Sequence, residues 1–87
     1  MQEALGSVET RSLIGAIEAA DVMLKTSNIR LIALNVVGSG IVAAVVKGDV
    51  ASVTAAVESG ARAASRLAQV VAANVIPNPM PDVEKLL

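Results

Sequence analysis

Apolar and polar residues follow one another along the chain in two similar blocks, each predicting a strand, a helix and a strand. In the first block, alternation over residues 3–9 predicts a strand, and apolar residues three and four apart over residues 11–25 predict an amphipathic helix. Thr10 is the expected N-cap of that helix. The apolar run over residues 29–37 predicts a second strand, and we expect both of its faces to be covered because large side chains fall on both.

The second block repeats this order after a short connection. Residues 41–47 predict a third strand, Asp49 is the expected N-cap of a helix over residues 50–67, and the valine-rich residues 69–76 predict a fourth strand. Proline cannot continue a ladder, so the proline-rich stretch that follows ends this strand. We expect residues 82–87 to form one helical turn after the last proline.

The spacing of apolar residues predicts which face of each helix meets the sheet. In the first helix this face comprises Leu13, Ala16, Ile17, Ala20, Met23 and Leu24. In the second helix it comprises Val50, Val53, Val57, Ala61 and Ala64. Gly60 lies inside the second helix, where glycine costs about 1 kcal/mol relative to alanine. We therefore expect Gly60 to allow close contact with the neighbouring helix.

The order β-α-β-β-α-β predicts an α+β fold of the ferredoxin-like type. In this fold a four-stranded antiparallel sheet carries both helices on one face, and we expect the other face to be open to solvent or to partners. A length of 87 residues suits one domain, so we interpret residues 1–87 as a single domain.

A glycine-rich turn joins the two blocks near the middle of the chain. Gly38, Ser39 and Gly40 stand between two apolar runs, and glycine supplies the positive φ angles that tight hairpins need. The sequence therefore predicts a hairpin that displays the Ser39 hydroxyl at its tip. Taken alone, Ser39 is most simply interpreted as a turn residue.

The composition indicates more apolar surface than so small a domain can bury by itself. Apolar residues make up 54% of the chain, mean hydropathy is +0.66, and there is no Phe, Tyr or Trp. Burial against other subunits is the natural consequence. A membrane span needs about 20 consecutive apolar residues, whereas the longest charge-free stretch, residues 31–46, is shorter and partly polar. We expect neither a transmembrane segment nor a signal peptide.

The residue types needed for most enzyme chemistry are missing. The chain has no His, the usual general base and the commonest metal ligand, and no Cys. Ser39 therefore has no histidine to activate it as a nucleophile, and its glycine-rich turn opens no helix that would bind a phosphate. The net charge of −1 and the lack of aromatic residues disfavour nucleic-acid binding. We expect no catalytic residue, no metal site, no cofactor, and no nucleic-acid or membrane partner.

Short segments spread over nearly the whole chain resemble one protein family. They are residues 3–6 (EALG), 8–10 (VET), 16–21 (AIEAAD), 37–40 (VGSG), 47–50 (KGDV), 75–77 (VIP) and 82–85 (DVEK). In their order and spacing they resemble the hexamer-forming, single-domain shell proteins of bacterial microcompartments, which share the BMC domain. The ending VIPNP is more similar to shells of propanediol- or ethanolamine-using compartments than to carboxysome shells.

The resemblance implies a structural protein rather than an enzyme. Members of this family form cyclic homohexamers that pack edge to edge, with other shell proteins, into shells around enzymes in the cytoplasm. Their hairpin tips meet at the sixfold axis around a narrow pore for small polar metabolites. By this resemblance Gly38, Ser39 and Gly40 line the pore, with Val36 and Val37 beside it.

The resemblance also places residues at the contact between neighbouring hexamers. Lys25 matches the family's edge lysine, Asn28 a second edge position beside it, and Asn78 a position that is often arginine. Asn cannot replace a bidentate guanidinium, so we expect a weaker edge contact. Val36 stands where related members often have lysine, which reduces the attraction of anions, and Met80 stands where histidine is common.

An alternative of another class is a ferredoxin-like oligomeric domain that binds a small molecule or regulates a partner. Such a domain would bind its ligand at clefts between subunits and would show no tendency to form sheets of hexamers. An enzyme is a third class, which the composition disfavours.

Overall fold

Strands and helices follow one another in the predicted order in the computed structural model, which describes residues 3–26 and 28–87. The elements are β1 (Ala4–Thr10), α1 (Leu13–Leu24), β2 (Arg30–Gly38), β3 (Ile41–Gly48), α2 (Val50–Ala64), β4 (Val70–Ile76) and a 3₁₀ turn (Val83–Leu86). Each predicted element is confirmed, and no end differs from its predicted position by more than three residues.

Within the described residues, four strands form one antiparallel sheet in the order β2-β3-β1-β4. β1 pairs with β3 on one side and with β4 on the other, so that Gly6 stands opposite both Val46 and Val75. The order follows from two interleaved β-α-β units, each of which places its strands on either side of a strand of the other unit. The ferredoxin-like α+β prediction is confirmed.

Both helices cover the same face of the sheet, and small residues make the closest contacts. The residues of α1 that are buried are Gly15, Ala16, Ala19, Ala20 and Met23. Leu13, Ile17 and Leu24 are exposed, so the prediction that they face the core is wrong. A Cβ built on Gly60 would lie 2.7 Å from Met23 Cγ, so the helices approach too closely for large side chains to lie between them. This confirms the close packing predicted from Gly60.

The buried face of α2 is also made of small and β-branched residues. It comprises Val53, Ala56, Val57, Gly60 and Ala64. Val50, predicted to belong to this face, is exposed at the first turn, and Ala61 lies half-buried at its border. The prediction is therefore right for Val53, Val57 and Ala64 and wrong for Val50.

The N-caps of the two helices differ in how well the sequence predicted them. Asp49 caps α2 as predicted, its Oδ2 accepting from the Ser52 N–H at 3.0 Å. The cap of α1 is Ser12, whose Oγ accepts from the Gly15 N–H at 3.2 Å, so the prediction of Thr10 is wrong. Thr10 is instead the buried last residue of β1, and its Oγ1 donates to the Ser12 carbonyl at 2.6 Å.

The outer strand β2 also differs from prediction. β2 is an outer strand, and Leu31, Ile32 and Leu34 are exposed rather than covered on both faces. A strand that is apolar on both faces can be covered by its own chain or by another chain. The sequence pattern does not distinguish these two cases. The sheet face opposite the helices, which was expected to be open to solvent or to partners, carries a cleft that Leu86 and Leu87 help to line.

Candidate functional site

The hairpin between β2 and β3 ends in a two-residue turn that projects from one end of the sheet. Gly38 stands opposite Ile41, and the residues between them, Ser39 and Gly40, have φ angles of 54° and 80°. Positive φ at both central positions is characteristic of the type I′ turn, whose twist matches that of the two strands. A Cβ built on Gly38 would meet no atom within 4 Å, so the turn borders open space at this residue.

The tip of the hairpin is polar and its base is apolar. Ser39 is exposed between two glycines, and it offers a hydroxyl together with accessible peptide groups. Val36 is 77% exposed and Val37 is 56% exposed, so the base of the hairpin carries apolar surface and no charge. Such a tip can donate and accept hydrogen bonds, but it holds no group that would serve as a general base for Ser39.

The three predicted edge residues lie at the opposite end of the sheet. Lys25 ends α1, and its Nζ lies 3.1 Å from Oδ2 of Asp21. Asn28 is exposed in the connection from α1 to β2, and Asn78 is exposed after β4. β2 begins and β4 ends at this end of the sheet, whereas the hairpin joins β2 to β3 at the other. The fold therefore brings Lys25, Asn28 and Asn78 to one end and the glycine-rich turn to the other.

An ion cluster close to this end of the sheet was missed by the sequence interpretation. Arg30 donates from Nη1 and Nη2 to the two carboxylate oxygens of Glu3 at 2.9 and 2.8 Å, and Lys47 Nζ lies 3.8 Å from the same carboxylate. The hydrogen bonds from the Arg30 guanidinium hold the pKa of the Glu3 carboxyl below its ordinary value. Only the strand register brings these residues together, since Arg30 stands opposite Lys47.

A large apolar surface remains exposed on the single chain. On α1 it comprises Leu13, Ile14, Ile17 and Leu24, and on β2 it comprises Leu31, Ile32, Leu34, Val36 and Val37. Exposed apolar surface of this extent on a small domain is typical of a protein–protein contact.

A cleft of about 460 Å³ lies on the sheet face opposite the helices. Its polar groups come from Ser7, Glu9 and Asn35, and Leu86 and Leu87 supply part of the apolar wall. Among the side chains that the structure describes, no group of three or more His, Cys, Asp or Glu residues is arranged to hold a metal ion. No helix in the described part of the chain is long and apolar enough to cross a membrane.

Comparison with known proteins establishes the family. The model of the BMC domain matches residues 4–79, which is most of the chain. This chain belongs to the bacterial microcompartment shell-protein family. The bacterial microcompartment shell protein PduA of Citrobacter freundii is 52% identical over 86 residues, which cover 99% of this chain and 92% of that protein. The bacterial microcompartment shell protein EutM of Salmonella typhimurium is 44% identical over 84 residues, which cover 97% of this chain and 88% of that protein.

A solved structure agrees with the sequence comparison. The crystal structure of a microcompartment protein from Desulfitobacterium hafniense superposes with a TM-score of 0.86 at 34% sequence identity. The match covers 98% of this chain and 46% of the other, so this chain spans about half the length of that protein.

Membership of the family decides the class of function. The chain is a structural protein of a microcompartment shell, not an enzyme, and it assembles with other shell proteins. The resemblance predicted from the seven short segments is confirmed, and the regulatory-domain alternative is not supported. The roles predicted for individual residues at a pore and at an edge stay predictions.

Proposed function

We propose that six copies of this chain form a closed ring, a hexagonal shell tile with a narrow pore on its axis. The observation that carries this proposal is the position of the glycine-rich turn and of Lys25, Asn28 and Asn78 at opposite ends of the sheet. The chain is also thin, with extents of 35 × 25 × 15 Å. In a flat ring, one end of each subunit faces the axis and the other faces the periphery.

Contacts between neighbouring subunits of the ring bury the apolar surface that a single chain leaves exposed. Leu13, Ile14 and Ile17 on α1 and the exposed side chains of β2 supply that surface. Closed rings use one patch on each subunit against a different patch on the next, so both patches must be present on one chain. The helix face and the outer strand provide two such patches.

The pore is lined by the turn at residues 38–40. Six copies of the Ser39 hydroxyl, with the peptide groups of Gly38 and Gly40, surround the axis and offer hydrogen bonds without charge. A narrow polar opening admits small polar metabolites in preference to bulky or apolar ones. Val36 and Val37 stand beside it and add no positive charge that would attract anions.

The periphery of the tile contacts neighbouring tiles through Lys25, Asn28 and Asn78. The Lys25 ammonium has three donors, and its ion pair with Asp21 leaves donors for acceptors on the next tile. Asn78 offers an amide and not a guanidinium, which makes its contribution to the edge smaller. The tiles then enclose the enzymes of the compartment, which meet one face of the shell.

The mass of the purified protein in solution tests the ring. Light scattering on a sizing column should give six subunits of 8.8 kDa, about 53 kDa. Refractive index must serve for detection because the chain has no Trp or Tyr. Electron microscopy should then show hexagonal sheets. A dimer or a tetramer would contradict the ring.

A further inference from the structure

Gly48, the last residue of β3, lies against the connection from α1 to β2. It is buried, and a Cβ built on it would overlap the carbonyl oxygen of Asn28 and lie 3.0 Å from Cδ1 of Ile29. Its φ is not in the positive range that Gly38 and Gly40 adopt. A glycine is therefore needed at position 48 for steric reasons, because the Asn28 carbonyl occupies the space that a side chain at this position would fill.

The backbone at Gly48 cannot easily shift to make room for a larger side chain at this position. It pairs with Ala4 at the end of the β1–β3 ladder. The next residue, Asp49, caps α2 through its hydrogen bond from the Ser52 N–H at 3.0 Å. A strand pair on one side and a helix cap on the other hold the backbone here, so an added methyl group would displace Asn28.

The connection that contains Asn28 is held at both ends. The Thr26 N–H donates to the Met23 carbonyl at 3.1 Å, and Ile29 packs against the core. Asn28 itself has a φ of 66°, in the left-handed region that costs most residues free energy. The contact with Gly48 thus lies at a residue whose own backbone is in the left-handed region.

We propose that Gly48 is a positioning residue for shell assembly: by leaving room for the Asn28 carbonyl, it sets the backbone conformation that presents the edge residues to the next tile. The proposal rests on the proposed function, in which Lys25 and Asn28 form that edge. Gly48 is buried against the Asn28 carbonyl, and in this proposal it acts on the edge through Asn28 rather than by touching the next tile.

The first test compares Gly48→Ala with Gly6→Ala. Gly6 is also buried, and a Cβ built on it would lie 2.6 Å from both Val53 Cγ1 and Val57 Cγ2, in the core beneath α2. Both variants should lower the unfolding temperature and keep the mass of six subunits. Only Gly48→Ala should raise the protein concentration at which sheets form. We expect an increase of about tenfold, because that is the effect of losing one hydrogen bond at each edge.

A second pair of variants tests the same loop without burying any new atom. Asn28→Gly and Asn28→Ala both remove the exposed amide, but only glycine adopts a φ of 66° without strain. If the loop conformation matters, Asn28→Ala should assemble less well than Asn28→Gly. This pair decides the question if Gly48→Ala does not form rings.

The outcomes separate the two proposals. The role of Gly48 is overturned if Gly48→Ala assembles as well as Gly6→Ala, or if Asn28→Ala assembles as well as Asn28→Gly. If Lys25→Ala is impaired in the same assay, the edge assignment stands. Normal sheets from Lys25→Ala overturn the edge assignment, and the role of Gly48 falls with it. Impaired sheets from Gly48→Ala and Asn28→Ala, with their controls unaffected, support the proposal.

Discussion

At the scale of single residues, each of the two proposed contact regions contains a non-glycine residue with a positive φ angle. In the part of the chain that the structure describes, the non-glycine residues with positive φ are Asn28 and Ser39. An L-residue in the left-handed region costs roughly 1–2 kcal/mol, less for Asn, so each position needs a compensating reason. Ser39 lies at the tip proposed for the pore, and Asn28 lies at the proposed edge.

Replacing Ser39 separates its role in the pore from its role in the turn. Ser39→Leu keeps a non-glycine residue at a φ of 54°, so the free energy of unfolding should change by no more than about 0.5 kcal/mol. Six leucines on the axis would make the opening narrow and apolar, and leakage of small polar metabolites from shells should fall.

The control for the pore variant is Ser39→Gly, which removes the hydroxyl and leaves the opening lined by peptide groups. Leakage should stay close to that of the wild type. If Ser39→Leu shells leak as much as Ser39→Gly shells, Ser39 does not line the main route.

At the scale of elements, the caps and the small residues determine how the helices lie on the sheet. Asp49 directly follows β3 and caps α2, so the end of the strand and the start of the helix form one rigid corner. Gly60 and Ala19 let α1 and α2 approach closely, and a Cβ on Gly60 would lie 3.2 Å from the Ala19 carbonyl oxygen. The large aliphatic residues of α1 are therefore turned outward, where the proposed ring contacts would bury them.

The Asp49 cap gives a stability that depends on pH. The hydrogen bond from Ser52 holds the pKa of the Asp49 carboxyl below its ordinary value of 3.8. The folded pKa is depressed, so its contribution is fully present at neutral pH and is lost as the pH falls through the folded pKa. Asp49→Asn keeps a neutral cap and removes this titration.

Thermal unfolding of the two proteins between pH 7 and pH 2 measures the effect. The wild type should unfold at a higher temperature than Asp49→Asn at pH 7, and the difference should shrink below about pH 4. The Glu3 carboxyl titrates in both proteins, so its effect cancels in the difference. A constant difference over the whole range would mean that the carboxylate does not stabilise the cap.

At the scale of the whole molecule, the sheet separates two contact regions and leaves two apolar patches between them. The turn at residues 38–40 projects from one end, and Lys25 and Asn28 lie at the other. The Glu3–Arg30–Lys47 cluster holds the strands together near the proposed edge. In the proposed ring, a change at the edge should therefore leave the contacts around the axis intact.

Lys25→Ala should weaken assembly of tiles without opening the ring. Lys25 forms an exposed pair with Asp21, and exposed pairs contribute about 0–1 kcal/mol, so the fold should tolerate the change. Sedimentation and electron microscopy should show rings of about six subunits and few sheets.

The matched control is Lys85→Ala. Lys85 is also an exposed lysine in a local ion pair, with Asp82 at 3.3 Å, and it belongs to the 3₁₀ turn whose Leu86 lines the cleft on the sheet face opposite the helices. Its sheets should resemble those of the wild type. If Lys25→Ala and Lys85→Ala form sheets equally well, the assignment of Lys25 to the edge is wrong.

The sequence by itself determined the order of the elements, the hairpin and the α2 cap. These depend on local physics: alternation sets strands, spacing of three and four sets helices, and the φ angles of glycine set the turn at residues 38–40. The family was also determined by the sequence, because short motifs keep their spacing over the whole chain.

Only the tertiary structure decided which residues face inward and which groups meet. Leu13 and Ile17 satisfy the same helical spacing as Ala16 and Ala20, and only the close approach of α2 selects the smaller pair for the core. Glu3 and Arg30, 27 residues apart, meet through the strand register. The contact between Gly48 and the Asn28 carbonyl has no local signal, because it depends on how closely two distant backbone segments pack.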